Sequence, residues 1–415
     1  MEIVVKKKKV LEIEVIREGC RSRTVGILHY LNLASVVLLM IAFTFYYAYL
    51  YLSINLSLIL FFLSMLGLII VNASNVLVKR FSVLITALLF LIYCSFMVII
   101  WINIPSNETI EVLKSSIFYF TALVTLVFVY YSSSISSIES AVIRTYEILL
   151  LISSTVLVVQ MISFIAGGII LAPPWQLVNP ILFRPAGLFG EPAHFGQFSA
   201  GLIMLSRFRF EEFTHNKWRF AVVLLANLLS FSAFAFVVLS FILLRYFLTK
   251  GFAVHRIFKI VSIALFLFTF MFLVDQLPQF RRVNASFEGG GSSLERVNKG
   301  VILVASLPLS QKLLGVGLGV GEQSISYYSG AHYSRFISSG SYMNAFFSEL
   351  VNIGVIGALF LNIFYLLLFV RSDDFLIKYG AFMAMRFGGA VTLTSVMCVL
   401  WLILLIIENK CIVEK

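Results

Sequence analysis

Three ionisable side chains of different kinds fall within eleven residues of this chain: Arg184, Glu191 and His194. They sit in the run Phe183-Arg184-Pro185-Ala186-Gly187-Leu188-Phe189-Gly190-Glu191-Pro192-Ala193-His194-Phe195-Gly196-Gln197. A guanidinium carries a fixed charge on a planar fork of donors, which suits a diphosphate. A carboxylate or imidazole beside it can take a proton from a hydroxyl. A second segment carries similar groups: Arg281-Arg282, Glu295-Arg296, His332, Arg335 and Ser341-Tyr342-Met343-Asn344. Plainer roles stay open for several of them. Arg281 and Arg282 also read as a solvated or headgroup-contacting pair, Arg296 as half of a loop salt bridge with Glu295, and His332 as a solvated histidine.

The elements that must position these groups are dictated by composition. Of 415 residues, 60% are hydrophobic and only 12% charged, against ~25% charged in an ordinary soluble domain. The mean hydropathy of +1.00 cannot be hidden inside one water-facing globule. The reading is an all-α polytopic membrane protein, with about 12 transmembrane or re-entrant helices of about 20 residues each and one large outer loop. A β-barrel is excluded because the apolar residues form long continuous runs rather than alternating decamers. The net charge of +11 points to anionic lipid at the cytoplasmic face, and no nucleic-acid partner is expected. Cys20, Cys94, Cys398 and Cys411 have no metal-ligand spacing; no metal or cofactor is expected.

The basic tail 1–26 places the N-terminus in the cytoplasm by the positive-inside rule, with no cleavable leader expected. Spans follow at 27–50, 53–72, 82–104, 115–132, 146–169 and 191–206, with the polar loop 105–114 and the segment 171–190 outside. The apolar run 220–244 reads best as a pair of short segments broken near Ser230-Phe231-Ser232, because one long helix would put Arg245, Lys250, Arg256 and Lys259 outside. Transmembrane helices thus extend over 27–275, closing with a span at 258–275, and the large extracytoplasmic loop is 276–343. The C-terminal helices occupy 344–407, as a span at 344–370 and a short hairpin at 375–407, and 408–415 is a cytoplasmic tail. Arginines, an acid and an imidazole thereby gather outside the membrane, which equips the chain to transfer a glycan off a lipid diphosphate there.

Local signals refine this picture. Pro192 suits the first turn of a helix, so the sixth span begins at Glu191, at an electropositive helix N-terminus. Glu191 and His194 are three apart and share a helical face. Charge within a span costs ~2.5–3.5 kcal/mol even on the lenient scale, less near the boundary. Glu349 and Asn352, at the outer end of the 344–370 span, read as hydrogen-bonding to neighbouring helices. Gly315-Val316-Gly317-Leu318-Gly319 lacks the strand–helix context of a nucleotide site and reads as a flexible turn.

At these residues the sequence resembles the Wzy-type oligosaccharide repeat-unit polymerases of the O-antigen polymerase/ligase superfamily. Arg184-x-x-Gly187-x-x-x-Glu191-Pro192 is similar to that family's Arg-x-x-Gly-x-x-x-Glu-Pro motif, and Leu229-Ser230-Phe231-Ser232 to its serine-containing helix break. Ser293-x-Glu295-Arg296, Leu314 through Gly319, and Asn344 through Glu349 with Gly354-x-x-Gly357 resemble its outer-loop and re-entry segments. The resemblance covers about 180–360. It implies an enzyme of the cytoplasmic membrane that joins undecaprenyl-diphosphate-linked oligosaccharides at the outer face, without a nucleotide sugar or cofactor. Membrane lipids, a chain-length regulator and a flippase would be its partners. Arg184, Arg281, Arg282, Arg296 and Asn344 would hold the diphosphate and glycan, and the base would be one of Glu191, His194 and His332. A ligase of the same superfamily usually carries a histidine before the asparagine of the re-entry segment; here that position is Met343. A ligase-like transferase and a lipid-linked oligosaccharide flippase or other transporter are the alternatives. A flippase should line several spans with charge, whereas most expected span centres here are nearly free of it.

Overall fold

The computed structural model describes residues 29–42, 56–73, 81–104, 109–132, 138–172, 183–249, 300–320, 343–389, 392–393 and 395–413. The architecture is all-helical, with no strand among the described residues. In chain order the helices are α1 (His29–Ala42), α2 (Leu56–Ala73), α3 (Phe81–Ile102), α4 (Thr109–Tyr131) and α5 (Glu139–Gly167). Then come α6 (Pro192–Ser199), α7 (Gly201–Met204), α8 (Arg207–His215), α9 (Lys217–Leu229) and α10 (Ala233–Thr249). A short α11 at 300–306 precedes α12 (Leu309–Leu314), α13 (Ala345–Phe369), α14 (Phe375–Gly388) and α15 (Val396–Val413).

Four of these, α3, α4, α5 and α13, are long and apolar enough to cross a membrane, and α1, α2, α10 and α15 include shorter apolar stretches. Large apolar side chains on α3 and α5 face outward, among them Phe96 at 66% exposure and Ile165 at 69%. Hydrocarbon is the solvent in which such faces cost nothing, so the chain is membrane-embedded. Several boundaries differ from the hydropathy reading. α4 starts at Thr109 and α5 at Glu139, where apolar content alone begins the spans at 115 and 146. Residues 109–114 of the expected loop 105–114 are therefore helix, closed by an exposed Glu111–Lys114 pair at 3.3 Å. Backbone hydrogen bonding continues past the last apolar turn into polar ones, which hydropathy does not register. α15 likewise continues to Val413, through part of the expected tail. The expected span 258–275 lies outside the described residues.

Two helices are broken where a single crossing would be unbroken. The run 220–244 is divided into α9 and α10, about 20 and 26 Å long at 1.5 Å per residue. Ser230 closes α9 through its hydroxyl on the Asn227 carbonyl at 2.8 Å, and Phe231 turns the chain with φ 47°, a rare conformation for a bulky residue. α10 returns antiparallel to α9: Phe220, near the start of one, stacks on Tyr246, near the end of the other, at 4.8 Å.

α13 is kinked at Gly354, φ 67°. The kink removes the helical partners of three carbonyls, and each is served from elsewhere. Val351 O accepts from Val316 N at 2.9 Å and Asn352 O from Gly317 N at 3.0 Å. The Tyr93 hydroxyl donates to Ile353 O at 2.8 Å. The glycine-rich segment after α12 is thus a docked backbone clasp and not the flexible turn expected of it. Close approach explains its composition: a Cβ at Gly315 (φ 80°) would strike the Asn352 carbonyl, and one at Gly354 would strike that of Leu313. Trp101 Nε1 adds a hydrogen bond to Leu314 O at 3.3 Å.

Candidate functional site

The segment carrying Arg184 is fastened to α5 before it reaches α6. Gln160 receives Gly187 N at 2.9 Å and donates back to Gly187 O at 3.2 Å, while Leu188 N donates to the Ser153 hydroxyl at 3.2 Å. Gly187 takes φ 65°, and a Cβ there would meet the Ser153 carbonyl oxygen at 2.5 Å. Phe183, fully buried, packs on Phe164 at 5.1 Å. Arg184 itself is half-buried, and its Nη1 reaches the Phe231 carbonyl at 3.5 Å. The Arg-x-x-Gly run and the serine-flanked break therefore meet, with the guanidinium placed over the end of the α9–α10 hairpin.

Glu191 is the N-cap of α6, in extended conformation (φ −136°, ψ 151°), with Pro192 at the first helical position. Its side chain makes no cap hydrogen bond and is half-exposed, although its carbonyl accepts from His194 N at 3.0 Å. His194 is buried, at 6% exposure. The expected common helical face does not describe the pair, because Glu191 lies outside the helix and its backbone is not helical. α6 and α10 are in near backbone contact here: a Cβ at Gly196 would meet the Ala235 Cα at 2.8 Å.

The same end of the fold includes the start of α13. Phe234, in the first turn of α10, lies against Gly389, where a Cβ would meet its Cε2 at 2.9 Å. Gly389 O in turn accepts from Ala345 N at 2.7 Å. Asn344 caps α13 by accepting from Phe347 N at 2.9 Å, and its fully buried Nδ2 has no partner. Glu349 and Arg386, both 1% exposed, form an ion pair. Arg386 is not distinguished by its sequence setting, an apolar hairpin, and Glu349 is expected to hydrogen-bond a neighbouring helix; it does so as half of a charge pair with Arg386 inside the helix packing. A lone arginine in an apolar stretch was the available signal.

Arg281, Arg282, Arg296 and His332 lie outside the described residues. Among the described residues, no cluster of three His, Cys, Asp or Glu side chains is arranged to hold a metal ion.

A second charge cluster occupies the opposite end of the α9–α10 hairpin. Arg245, just past the end of the apolar run 220–244, lies on α10, which continues to Thr249, and is fully buried. Its guanidinium donates to the carbonyls of Leu202 at 3.1 Å, Ile203 at 2.9 Å and Leu205 at 2.8 Å, and pairs with Asp374 at 3.3 Å. It thereby satisfies the terminal carbonyls of α7. Lys378 pairs with Asp373, which also accepts from the Arg207 main chain. These charges are consumed in joining α7, α8, α10 and α14, so this end is an architectural lock.

No family model matches the chain, and neither does any curated protein or solved structure.

Proposed function

We propose that this chain is a membrane-embedded glycosyltransferase that polymerises undecaprenyl-diphosphate-linked oligosaccharide repeat units into a surface polysaccharide, at the outer face of the cytoplasmic membrane. The observation that carries the reading is the meeting of Arg184 with the Phe231 break, at the end of the fold where Glu191 precedes α6 and Asn344 begins α13. An acceptor hydroxyl attacks the anomeric carbon of the growing chain, the bond to the diphosphate breaks, and the lipid diphosphate leaves with the electron pair. Arg184, with Arg281, Arg282 and Arg296 from the outer loop, neutralises the leaving group. Glu191 is the better-placed base for the acceptor proton, being half-exposed and uncommitted to its own helix. The Asn344 amide serves a glycan hydroxyl.

The test is reconstitution in liposomes with lipid-linked repeat units from the protein's own source. A ladder of lengthening chains is expected, and Glu191→Gln should reduce its rate by about 10²–10⁴-fold, the usual worth of a general base. Movement of the units across the bilayer without lengthening would assign transport instead.

A further inference from the structure

The Glu349–Arg386 pair ties together the three pieces of chain that meet at the mouth of α13. One Glu349 oxygen pairs with Arg386 in the last turn of α14; the other accepts from Leu393 N at 3.2 Å, in the connection into α15. Three residues beyond Arg386, Gly389 O accepts the first amide of α13, that of Ala345, at 2.7 Å. Arg386 is itself oriented by Asn362 Oδ1 at 2.9 Å and by the Tyr365 ring at 4.7 Å. Its Nε has no partner, so the pair is not fully saturated as Arg245 is at the other end.

We infer that Glu349 and Arg386 are positioning residues: they hold the first turn of α13 in register with the end of α14 and so aim the Asn344 amide at a glycan hydroxyl. Two facts favour this over simple cohesion. An unpaired buried Asn344 Nδ2 is a cost to the fold, which a hydroxyl oxygen accepting from it would offset. A buried ion pair is also a poor source of stability compared with apolar residues of similar volume, whereas its fixed fork geometry sets a register. The inference rests on the polymerase reading for the identity of the group that Asn344 meets, but not for the positioning itself.

The experiment compares Glu349→Gln, Arg386→Lys and the double variant Glu349→Leu/Arg386→Met in purified protein. Three quantities are read: the yield of monodisperse protein, amide hydrogen exchange over 343–350, and polymerisation of lipid-linked repeat units. Glu349→Gln, which strands a buried cation, should lose folded protein. The double variant should recover it, yet exchange at Ala345 and Phe347 should rise at least about tenfold. Its turnover should fall while the half-saturating concentration of repeat unit stays within about threefold. Arg386→Lys, keeping the charge without the fork, should lie between the double variant and the native protein. Native exchange and native turnover in the double variant would overturn the proposal, and so would a double variant that cannot fold, since the pair would then be a requirement of the fold alone. If the native protein makes no polymer, the polymerase reading falls, and the exchange measurement still decides the positioning.

Discussion

Arg184 and Phe231 are 47 positions apart, and the guanidinium of one reaches the backbone carbonyl of the other at 3.5 Å. The arginine arrives there because Gln160 and Ser153 grip the chain three and four residues later. The carbonyl points there because Phe231 adopts a left-handed turn between two short helices. Both partners are thus held by local strain or by dedicated hydrogen bonds, a pattern that accumulates at working sites.

Arg184→Ala is expected to nearly abolish polymer, and Arg184→Lys to impair it, because lysine keeps the charge and loses the fork. A charge-assisted contact of this kind is worth ~1.5–3 kcal/mol, roughly ten- to a hundredfold in rate when felt at the transition state. Single lipid-linked repeat units should accumulate. Lys217→Ala is the control, since Lys217 is exposed at the start of α9. Chain length is read on a gel at matched membrane protein levels, and normal polymer from Arg184→Ala would remove this residue from the site.

Gly315→Ala and Gly354→Ala should each destabilise the protein by at least about 1–3 kcal/mol, the cost of a non-glycine residue in left-handed backbone. Each new Cβ also strikes backbone of the opposite segment. The two effects should sum to less than their separate values, because one substitution already opens the clasp that the other would break. Thermal unfolding in detergent of the two single variants and the double variant measures this; full additivity would mean that the segments do not depend on each other.

Removing Arg245 should damage the fold more than the chemistry. Arg245→Met leaves the carbonyls of Leu202, Ile203 and Leu205 and the Asp374 carboxylate without their buried partner, a loss of about 3–5 kcal/mol for breaking such a pair. A sharply lower unfolding temperature is expected, with near-native turnover per molecule still folded. Loss of turnover at unchanged stability would move Arg245 out of the architectural lock.

The expected topology places 276–343 outside. A cysteine introduced at Ser292 should react in intact cells with a membrane-impermeant thiol reagent, while native Cys20 and Cys411 react only after lysis. Labelling at 292 only after lysis would invert the large loop and defeat an outer-face mechanism.

Hydropathy and local turn chemistry were sufficient for most of the helices. An apolar run needs no partner to declare itself, and Pro192 and the serines around Phe231 mark a helix start and a helix break by their own backbone preferences. Helix starts at Thr109 and Glu139 escaped the same reading because polar helical turns resemble loops in a hydropathy profile.

What only the tertiary structure decided is every relation between distant residues. Arg386 in sequence is a cation in an apolar hairpin, and it becomes half of a buried pair because Glu349 lies 37 positions earlier on a helix that packs beside it. Gly315 in sequence belongs to a run that reads as a flexible turn, and Gly354 to a spaced glycine pair; their necessity comes from two backbones crossing too closely for a Cβ. Charge, conformational preference and apolar content are properties of single residues and short runs, so the sequence by itself determined the membrane class, the break at Phe231 and the helix start at Pro192. Pairing, burial and close approach depend on which surfaces meet, and a residue's own chemistry does not encode which distant partner it will face.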